Sequence, residues 1–478
     1  MFLVEDLVQL CCSHLRRELS IGNSMGMYRV ADHYYCPQFR EKVIQYVCEH
    51  FSEITRQSEE FIHTPYEYLR SLLSMDELNV RNENYLLDVL RRWVDYNPTV
   101  RSSFLSSLFQ GVRVGFCSPE NLRSFVYSYP FMAQQSSCRQ ALYSLSQGGC
   151  CSWGRDGGPE GAMVAAGSAC GHCGTWRPRM PSELMLVVGG WAETRATSVM
   201  EAYDVRANKW LICLDEDIMP RAYHGLVVLG DLLYMVGGFD GDTCFSSMQC
   251  YDLKRHVWLE RSCMNLARCY VSVSTLGGHI YAAGGFTGQT RTNSVEKYFP
   301  RLNQWFVVSP MHKRRSDASS CAFNGKLYVA GGFTGTRVLS SVEVYDPAAD
   351  SWTYMEPMLT ARSGFRLVQY ANAMYAIGGF DGSLRLNTVE RYRTDLRRWE
   401  TRTSMRLGRS NFAAAVLEDG IYIMGGFNGT TTVSDVECYS HHNDVWRTGA
   451  PLNISRSAFS ACVLKGLGVT KQYSYCGA

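Results

Sequence analysis

The chain has 478 residues, 46% of them hydrophobic and 19% charged, which is long enough for two or three folded domains and too apolar for a disordered protein. Its 47 basic and 45 acidic residues nearly cancel, so nucleic acid and anionic membranes are disfavoured as partners. No basic leader precedes an apolar segment at the N-terminus, and no apolar run reaches the ~18–20 residues of a membrane span. We therefore expect a cytoplasmic protein whose 19 cysteines are reduced thiols.

The first 146 residues carry the periodicity of amphipathic helices. One helical face is formed by apolar residues spaced three or four apart, namely Leu7, Leu10, Cys11, Leu15 and Leu19. The segment 85–94 forms a second such face, and Ser118-Pro119-Glu120 has the residue types that begin helices. We predict an all-α domain over residues 21–146, preceded by a short helical segment over residues 1–20.

Residues 147–182 differ from the helical region because they are rich in Gly, Ser, Ala and Cys, which predicts a flexible linker. Some of them carry side chains that bind zinc, namely Cys150, Cys151, Cys170, His172 and Cys173. One C-x-x-C pair with an adjacent cysteine pair matches known zinc ribbons poorly, and nothing nearby would orient the ligands. We interpret the cysteines among them as free thiols, and we predict neither a metal nor a cofactor.

Residues 183–466 contain one pattern six times. A Gly-Gly pair ends a hydrophobic run at Gly189, Gly237, Gly284, Gly331, Gly378 and Gly425. A tyrosine and then a tryptophan follow each pair in constant phase, as Tyr203 and Trp210 do in the first copy. An arginine recurs at 47-residue intervals from Arg221 to Arg456. Four marks in fixed phase indicate a repeat architecture.

Each copy is long enough for four short strands. In the fourth copy we predict strands over 318–323, 326–330 and 341–345, and a last strand around Trp352. The glycines allow the backbone to turn where a Cβ would not fit, and the Tyr and Trp rings can pack between neighbouring units. The predicted fold class is an all-α helical domain followed by an all-β six-bladed β-propeller, with a C-terminal tail over 467–478.

The first copy lacks the arginine and the strand that open the others. The missing piece stands at the far end of the repeat region, over residues 456–464. We predict that this segment completes the first blade and closes the ring, because an open propeller would leave an exposed strand edge.

The spacing of the glycines, Tyr and Trp resembles kelch repeats. Several helical stretches resemble the BACK domain of the kelch-like proteins, which are adaptors of cullin-3 ubiquitin ligases: 31–37, 76–80, 83–94 and 112–114. Residues 1–20 resemble only the last helices of the BTB domain, which in that family dimerises and binds cullin-3. The resemblance implies a substrate-recognition adaptor in protein ubiquitination, with cullin-3 binding weakened by the missing BTB region.

In relatives, one end of the propeller binds the target protein, and two sets of positions in this sequence match it. The first set follows each Gly-Gly pair: Trp191, Phe239, Phe286, Phe333, Phe380 and Phe427. The second follows the recurring arginine: Tyr223, Tyr270, Ser316, Asp317, Ser363, Ser410, Asn411 and Ser457. Half-exposed aromatics bordered by polar groups are typical of a peptide-binding hot spot, but recurring aromatics are equally expected of packing between blades. Charged residues of both signs lie in the nearby loops, namely Arg195, Asp240, Asp242, Arg291, Arg337, Asp381 and Arg385, so the charge of the ligand is not predicted.

No catalytic motif accompanies the repeats. The sequence contains no nucleophile elbow, no phosphate-binding glycine loop and no H-E-x-x-H. Some kelch propellers are copper redox enzymes, but the histidines of this one are out of phase with the repeat: His224, His256, His279, His312, His441 and His442. We predict a binding protein and not an enzyme. The alternatives are a kelch protein that binds actin or the cytoskeleton, and a substrate-binding fragment that does not recruit cullin-3.

Overall fold

The computed structural model of the chain describes residues 2–136, 138–139, 142–143, 177–213 and 219–475. The chain divides into two compact units that meet in the sequence at Ser182 and Glu183. The first unit is helical and the second is built almost entirely of β-strands, which confirms the predicted fold class. Within the described part of the chain, no helix has both the length and the apolar character needed to cross a bilayer.

The helical unit packs short helices around one apolar core that includes Trp93, Leu90 and Phe125. Its helices are α1 (Phe2–Arg17), α2 (Ser24–His33), α3 (Pro37–Glu49), α4 (Phe51–Gln57), α5 (Tyr66–Ser74), α6 (Asn84–Asp95), α7 (Pro98–Arg101), α8 (Leu105–Phe109), α9 (Pro119–Ser128) and α10 (Pro130–Gln134). Three short 3-10 helices lie at Glu59–His63, Ser102–Phe104 and Val114–Phe116. As predicted, Ser118 begins a helix, because its Oγ accepts a hydrogen bond from the backbone N–H of Asn121 at 3.3 Å.

The apolar face predicted for α1 is covered only at its C-terminal end. Leu15 and Leu19 pack against the helical core, whereas Leu7 and Leu10 are 60% and 63% exposed. The helix therefore contributes its last turns to the core of this unit.

The end of the predicted linker is fixed to the helical unit. Arg179 is buried, and its Nε donates to Glu83 Oε1 at 2.5 Å. Its other nitrogens donate to the carbonyl oxygens of Met75 at 2.6 Å and Gly111 at 2.9 Å. A buried, fully paired cation of this kind holds its segment in place, so residues 177–182 differ from the flexible linker that their composition predicts.

The second unit contains, among the described residues, six four-stranded antiparallel sheets, the blades of the propeller. Its strands are β1 (Glu183–Val188), β2 (Trp191–Ala192), β3 (Arg195–Ala196), β4 (Met200–Asp204), β5 (Lys209–Cys213), β6 (Gly225–Leu229), β7 (Leu232–Val236), β8 (Met248–Asp252), β9 (Val257–Arg261), β10 (Ser272–Leu276), β11 (His279–Ala283), β12 (Val295–Phe299), β13 (Gln304–Val308), β14 (Ser319–Phe323), β15 (Lys326–Ala330), β16 (Val342–Asp346), β17 (Ser351–Met355), β18 (Arg366–Tyr370), β19 (Ala373–Ile377), β20 (Val389–Arg393), β21 (Arg398–Arg402), β22 (Ala413–Leu417), β23 (Gly420–Met424), β24 (Val436–Ser440), β25 (Val445–Gly449) and β26 (Ser460–Lys465). Blade 1 has the order β26-β1-β4-β5, and blades 2 to 6 are β6–β9, β10–β13, β14–β17, β18–β21 and β22–β25. The short pair β2–β3 lies in a loop of blade 1.

Large side chains join each blade to the next. In blade 4, Tyr345 and Trp352 pack against Tyr281 of blade 3, and the Trp352 indole N–H donates to the Ser309 carbonyl at 2.7 Å. Equivalent indole bonds to the preceding blade are made by Trp210, Trp305, Trp399 and Trp446. The predicted packing of these rings between blades is confirmed.

The recurring arginine is structural. Arg315 is fully buried, donates to the Gly331 carbonyl at 2.7 Å and forms an ion pair with Glu343 at 2.5 Å. The same arrangement joins Arg268 to Glu296, Arg362 to Glu390, Arg409 to Glu437 and Arg456 to Glu201. Each arginine therefore ties the start of the innermost strand to the glycine pair of its own blade.

The ring closes as predicted. Strand β26 pairs antiparallel with β1 from Glu183–Lys465 to Val188–Ser460, so blade 1 combines both ends of the propeller. The predicted tail then forms α11 (Leu467–Tyr473), whose Tyr473 packs on blades 1 and 2 and donates to the Tyr251 hydroxyl at 3.0 Å.

Candidate binding face

A closed ring of backbone hydrogen bonds lies at one end of the propeller. Its members are the second residue after each recurring arginine: Tyr223, Tyr270, Asp317, Gly364, Asn411 and Ala458. Each backbone N–H donates to the carbonyl of the equivalent residue in the preceding blade, over 2.7–3.1 Å. All six have φ between 51° and 57°, the left-handed region, which costs a non-glycine residue ~1–2 kcal/mol. The ring of hydrogen bonds stabilises that conformation in all six blades.

The predicted aromatic residues lie beside this ring, and part of the second predicted set belongs to the ring itself. Each aromatic residue after a glycine pair forms an antiparallel bridge with the first residue after the arginine of its own blade: Trp191–Ser457, Phe239–Ala222, Phe286–Cys269, Phe333–Ser316, Phe380–Ser363 and Phe427–Ser410. The six aromatic side chains are half-buried, whereas the four serines are buried. The aromatics can therefore offer part of their rings to a ligand, and the serines mainly support them.

Two arginines are held between aromatic rings of adjacent blades. The Arg291 guanidinium carbon lies 5.3 Å from the ring centre of Phe286 and 4.7 Å from that of Phe333. The Arg385 guanidinium carbon lies 4.4 Å from Phe380 and 5.1 Å from Phe427. Cation–π contacts of this kind order long side chains, so the arginine planes become a fixed part of the surface.

Two open clefts flank Arg385 and Asn411. One, of about 950 Å³, lies at blades 6 and 1 and includes Trp191, Tyr223, Phe427 and Ser457 of the predicted residues. The other, of about 640 Å³, lies at blades 4 and 5 and includes Asp317, Phe333, Ser363, Phe380 and Ser410. Both volumes lie in the range of ligand-binding pockets.

The remaining predicted residues lie outside both clefts. Tyr270 packs against Tyr223 with ring centres 3.9 Å apart and the rings tilted by 37°, and both residues border a small cavity of about 40 Å³. Phe239 packs near Trp191 with ring centres 6.4 Å apart, and Phe286 contacts Arg291. Ser316 is buried and donates its hydroxyl to Asp317 at 2.8 Å. The structure thus brings the two sets to one face but not into one pocket.

Asp317 has an unusual electrostatic environment. Burial raises the pKa of its carboxyl to about 6, and the Ser316 hydroxyl and the Arg291 charge oppose this only in part. Arg291 reaches it through Ser316, because its Nε donates to Ser316 Oγ at 3.2 Å. The charge of this part of the face therefore changes close to neutral pH.

Leu384 was not predicted by the sequence reasoning. It lies in the loop between β19 and β20, next to Arg385, and is 69% exposed. Asp381 fixes the loop, since its carboxylate accepts the backbone N–H groups of Ser383 and Leu384 at 2.7 Å each. The sequence does contain a signal, because Leu384 is an apolar residue at the tip of a polar turn. A search for features shared by the six copies does not find it.

No metal site is found among the residues that the structure describes, where no three His, Cys, Asp or Glu side chains group suitably. The zinc candidates Cys150, Cys151, Cys170, His172 and Cys173 lie outside the described residues.

Three family models match the chain. Residues 24–127 match BACK (BTB And C-terminal Kelch), residues 182–213 and 220–265 match the Kelch motif, and residues 272–470 match the KLHDC2/KLHL20/DRC7 Kelch-repeats domain. A solved structure titled "Structure of YjhT" is 17% identical, with a TM-score of 0.46 over 51% of this chain and 87% of that one. The chain thus matches a BACK domain in its helical unit and kelch repeats in its propeller.

Proposed function

We propose that the chain is a substrate-recognition adaptor of a cullin-3 RING ubiquitin ligase, which captures its target with the clefts around Arg385 and Asn411. The observation that carries this proposal is the pairing of a BACK domain with a kelch propeller in one chain. An adaptor needs no catalytic group of its own, because it acts by holding the target at high effective concentration near the conjugating enzyme.

The binding face supports recognition of a protein segment. Half-buried aromatic rings and fixed arginines lie together there, and aromatic residues and arginine are enriched in protein interfaces and their hot spots. The exposed Leu384 is next to Arg385 in the same loop. The clefts are open rather than enclosed, which suits an extended peptide or loop better than a small metabolite.

The segments 221–225, 268–272 and 315–319 resemble those of kelch-like protein 10, the spermatid member. We accordingly place the proposed activity in the cytoplasm of cells undergoing spermatogenesis.

The first test is affinity capture from testis extract. We expect the wild-type chain to retain cullin-3 and at least one further protein, and Leu384→Asp to lose the further protein while keeping cullin-3. Leu396→Asp is the matched control, since Leu396 is 45% exposed in the turn between β20 and β21, at the opposite end of the same blade. It should retain both.

Other outcomes separate the alternatives. If the chain captures a target protein but not cullin-3, the result favours a substrate-binding fragment that does not recruit the ligase. Co-sedimentation with actin filaments that Leu384→Asp abolishes would favour a cytoskeletal kelch protein. Equal capture by Leu384→Asp and Leu396→Asp would place the target elsewhere on the propeller and overturn the proposed face.

A further inference from the structure

Two cysteines meet across the boundary between blades 2 and 3. The sulfur atoms of Cys244 and Cys269 are 3.2 Å apart, and both residues are free thiols. A disulfide requires ~2.05 Å between its sulfurs. The two sulfurs therefore need to approach by only ~1.2 Å to bond.

The repeat itself produces this contact. Cys244 is the bridge partner of Phe239, as Arg291 is of Phe286 in the next blade. Cys269 follows the recurring Arg268, as Ser316 follows Arg315. The Arg291 Nε to Ser316 Oγ bond spans blades 3 and 4 at 3.2 Å, with the same 25-residue separation as the cysteine pair. Equivalent positions of adjacent blades therefore touch, and here both are cysteines.

The backbone on both sides is held in place. The Cys269 N–H donates to the Phe286 carbonyl at 2.9 Å, and Cys244 bridges Phe239 within the loop of blade 2. The blades therefore hold the two cysteines side by side, and a small movement of the side chains would bring the sulfurs to bonding distance.

The two thiols differ in access. Cys269 is 1% exposed, and burial together with the neighbouring Cys244 raises the pKa of its thiol. Cys244 is half-buried, so a reagent from solvent reaches Cys244 first. Because of this difference, Cys244 is the thiol that is oxidised first, and Cys269 is the resolving thiol.

We propose that Cys244 and Cys269 form a reversible disulfide that links blades 2 and 3 at the rim of the candidate binding face, with a peroxide as the oxidant. The Cys244 sulfur attacks one peroxide oxygen, the O–O bond breaks, and Cys244 sulfenic acid and one water are formed. The Cys269 sulfur then displaces the hydroxyl group as a second water and forms the S–S bond. Two thiols lose two electrons to one peroxide, and a dithiol reductant reverses the reaction.

The test uses the full chain treated with hydrogen peroxide, blocked with N-ethylmaleimide and digested with trypsin without reduction. We expect mass spectrometry to show the peptide 269–291 joined to the peptide 222–254, and dithiothreitol to separate them. Because the second peptide also contains Cys250, fragmentation must assign the link to Cys244.

Variants provide the control. Cys244→Ser and Cys269→Ser should each abolish the link, and Cys263→Ser, which removes an exposed thiol, should keep it. Serine already stands at the Cys269 position in four other blades, as Ser316, Ser363, Ser410 and Ser457. Oxidation should also raise the melting temperature of the wild type and not that of Cys244→Ser.

Separate modification of the two cysteines in the oxidised wild type, or a link to Cys269 that survives in Cys244→Ser, would overturn the proposal. If a variant fails to fold, the peptide map of the wild type alone still shows whether Cys244 and Cys269 form the disulfide. The measurement needs no binding partner, so its result is independent of the proposed adaptor function.

Discussion

Among the six residues of the hydrogen-bonded ring, Asp317 is the one with an ionisable carboxyl. Its pKa is raised to about 6 from an ordinary value of 3.8, because burial disfavours the charged form. An unfolded chain loses this proton near pH 4, whereas the folded chain retains it to about pH 6. The contribution of Asp317 to the free energy of unfolding is therefore highest below pH 4, and it falls as the pH rises towards 6.

Asp317→Asn removes that dependence. We expect the variant to be more stable than the wild type at pH 7.5, by about 1–2 kcal/mol when the partial exposure of the side chain is taken into account. The difference should shrink as the pH falls towards 4. Urea unfolding of both proteins between pH 4.5 and 7.5 measures it, and a constant difference across that range would contradict the assigned cause.

Asp381 provides a control of opposite sign. The backbone N–H groups of Leu384 and Ser383 lower the pKa of its carboxyl, so its contribution to stability is present above pH 4 and is lost as the pH falls further. Asp381→Asn should therefore be less stable than the wild type at pH 7.5, in contrast to Asp317→Asn.

At the scale of the blade, blade 2 differs from the other five. Arg221 is buried like the other recurring arginines and donates to the Gly237 carbonyl at 3.0 Å. Where those blades have a glutamate, blade 2 has Gln249. Among the described residues, no carboxylate forms an ion pair with Arg221, and burial lowers the pKa of its guanidinium to about 10. Blade 2 thus contains a buried cation without the partner that its sister blades have.

Gln249→Glu should supply the missing partner. We expect a gain of about 1–2 kcal/mol in the free energy of unfolding, because a charge-assisted hydrogen bond would form where the buried Gln249 Oε1 has no hydrogen-bond partner. The reciprocal change, Glu296→Gln in blade 3, removes the existing partner of Arg268 and should cost about 3 kcal/mol. Thermal unfolding of the two variants beside the wild type checks both signs. Destabilisation by Gln249→Glu would show that Arg221 already has sufficient compensation.

At the scale of the whole molecule, closure of the ring depends on one strand. Without β26, blade 1 keeps three strands, and β1 presents an unpaired edge along Glu183–Val188. The buried ion pair of Glu201 also loses its partner Arg456.

A chain that ends before Arg456 should therefore unfold at a much lower temperature or fail to accumulate as a monomer. A chain that ends after Tyr475 is the control, since it retains β26 and α11, and it should unfold like the full chain. Circular dichroism and size-exclusion chromatography of the two truncated chains make the measurement, and equal melting temperatures would contradict the role of β26.

The repeat made much of this fold predictable. The phase of Gly-Gly, Tyr, Trp and Arg marks the strands, and the missing opening strand of the first copy indicates closure by residues 456–464. The hydrogen-bonded ring was not predictable, since Tyr, Asp, Asn and Ala there share a conformation that only contact with the neighbouring blades stabilises. Arg179 was missed for a similar reason, because its partner Glu83 lies 96 residues earlier in the chain.

The pairing of β1 with β26 has a consequence for synthesis in the cell. Arg456 binds the Gly189 carbonyl from a position 267 residues later. At a translation rate of roughly 5–20 residues per second, β1 leaves the ribosome about 15–50 seconds before its partner exists. Throughout that interval the nascent propeller carries an open strand edge. Such an edge makes the chain a client for chaperones. It also allows incorrect pairing between chains made by neighbouring ribosomes on the same message.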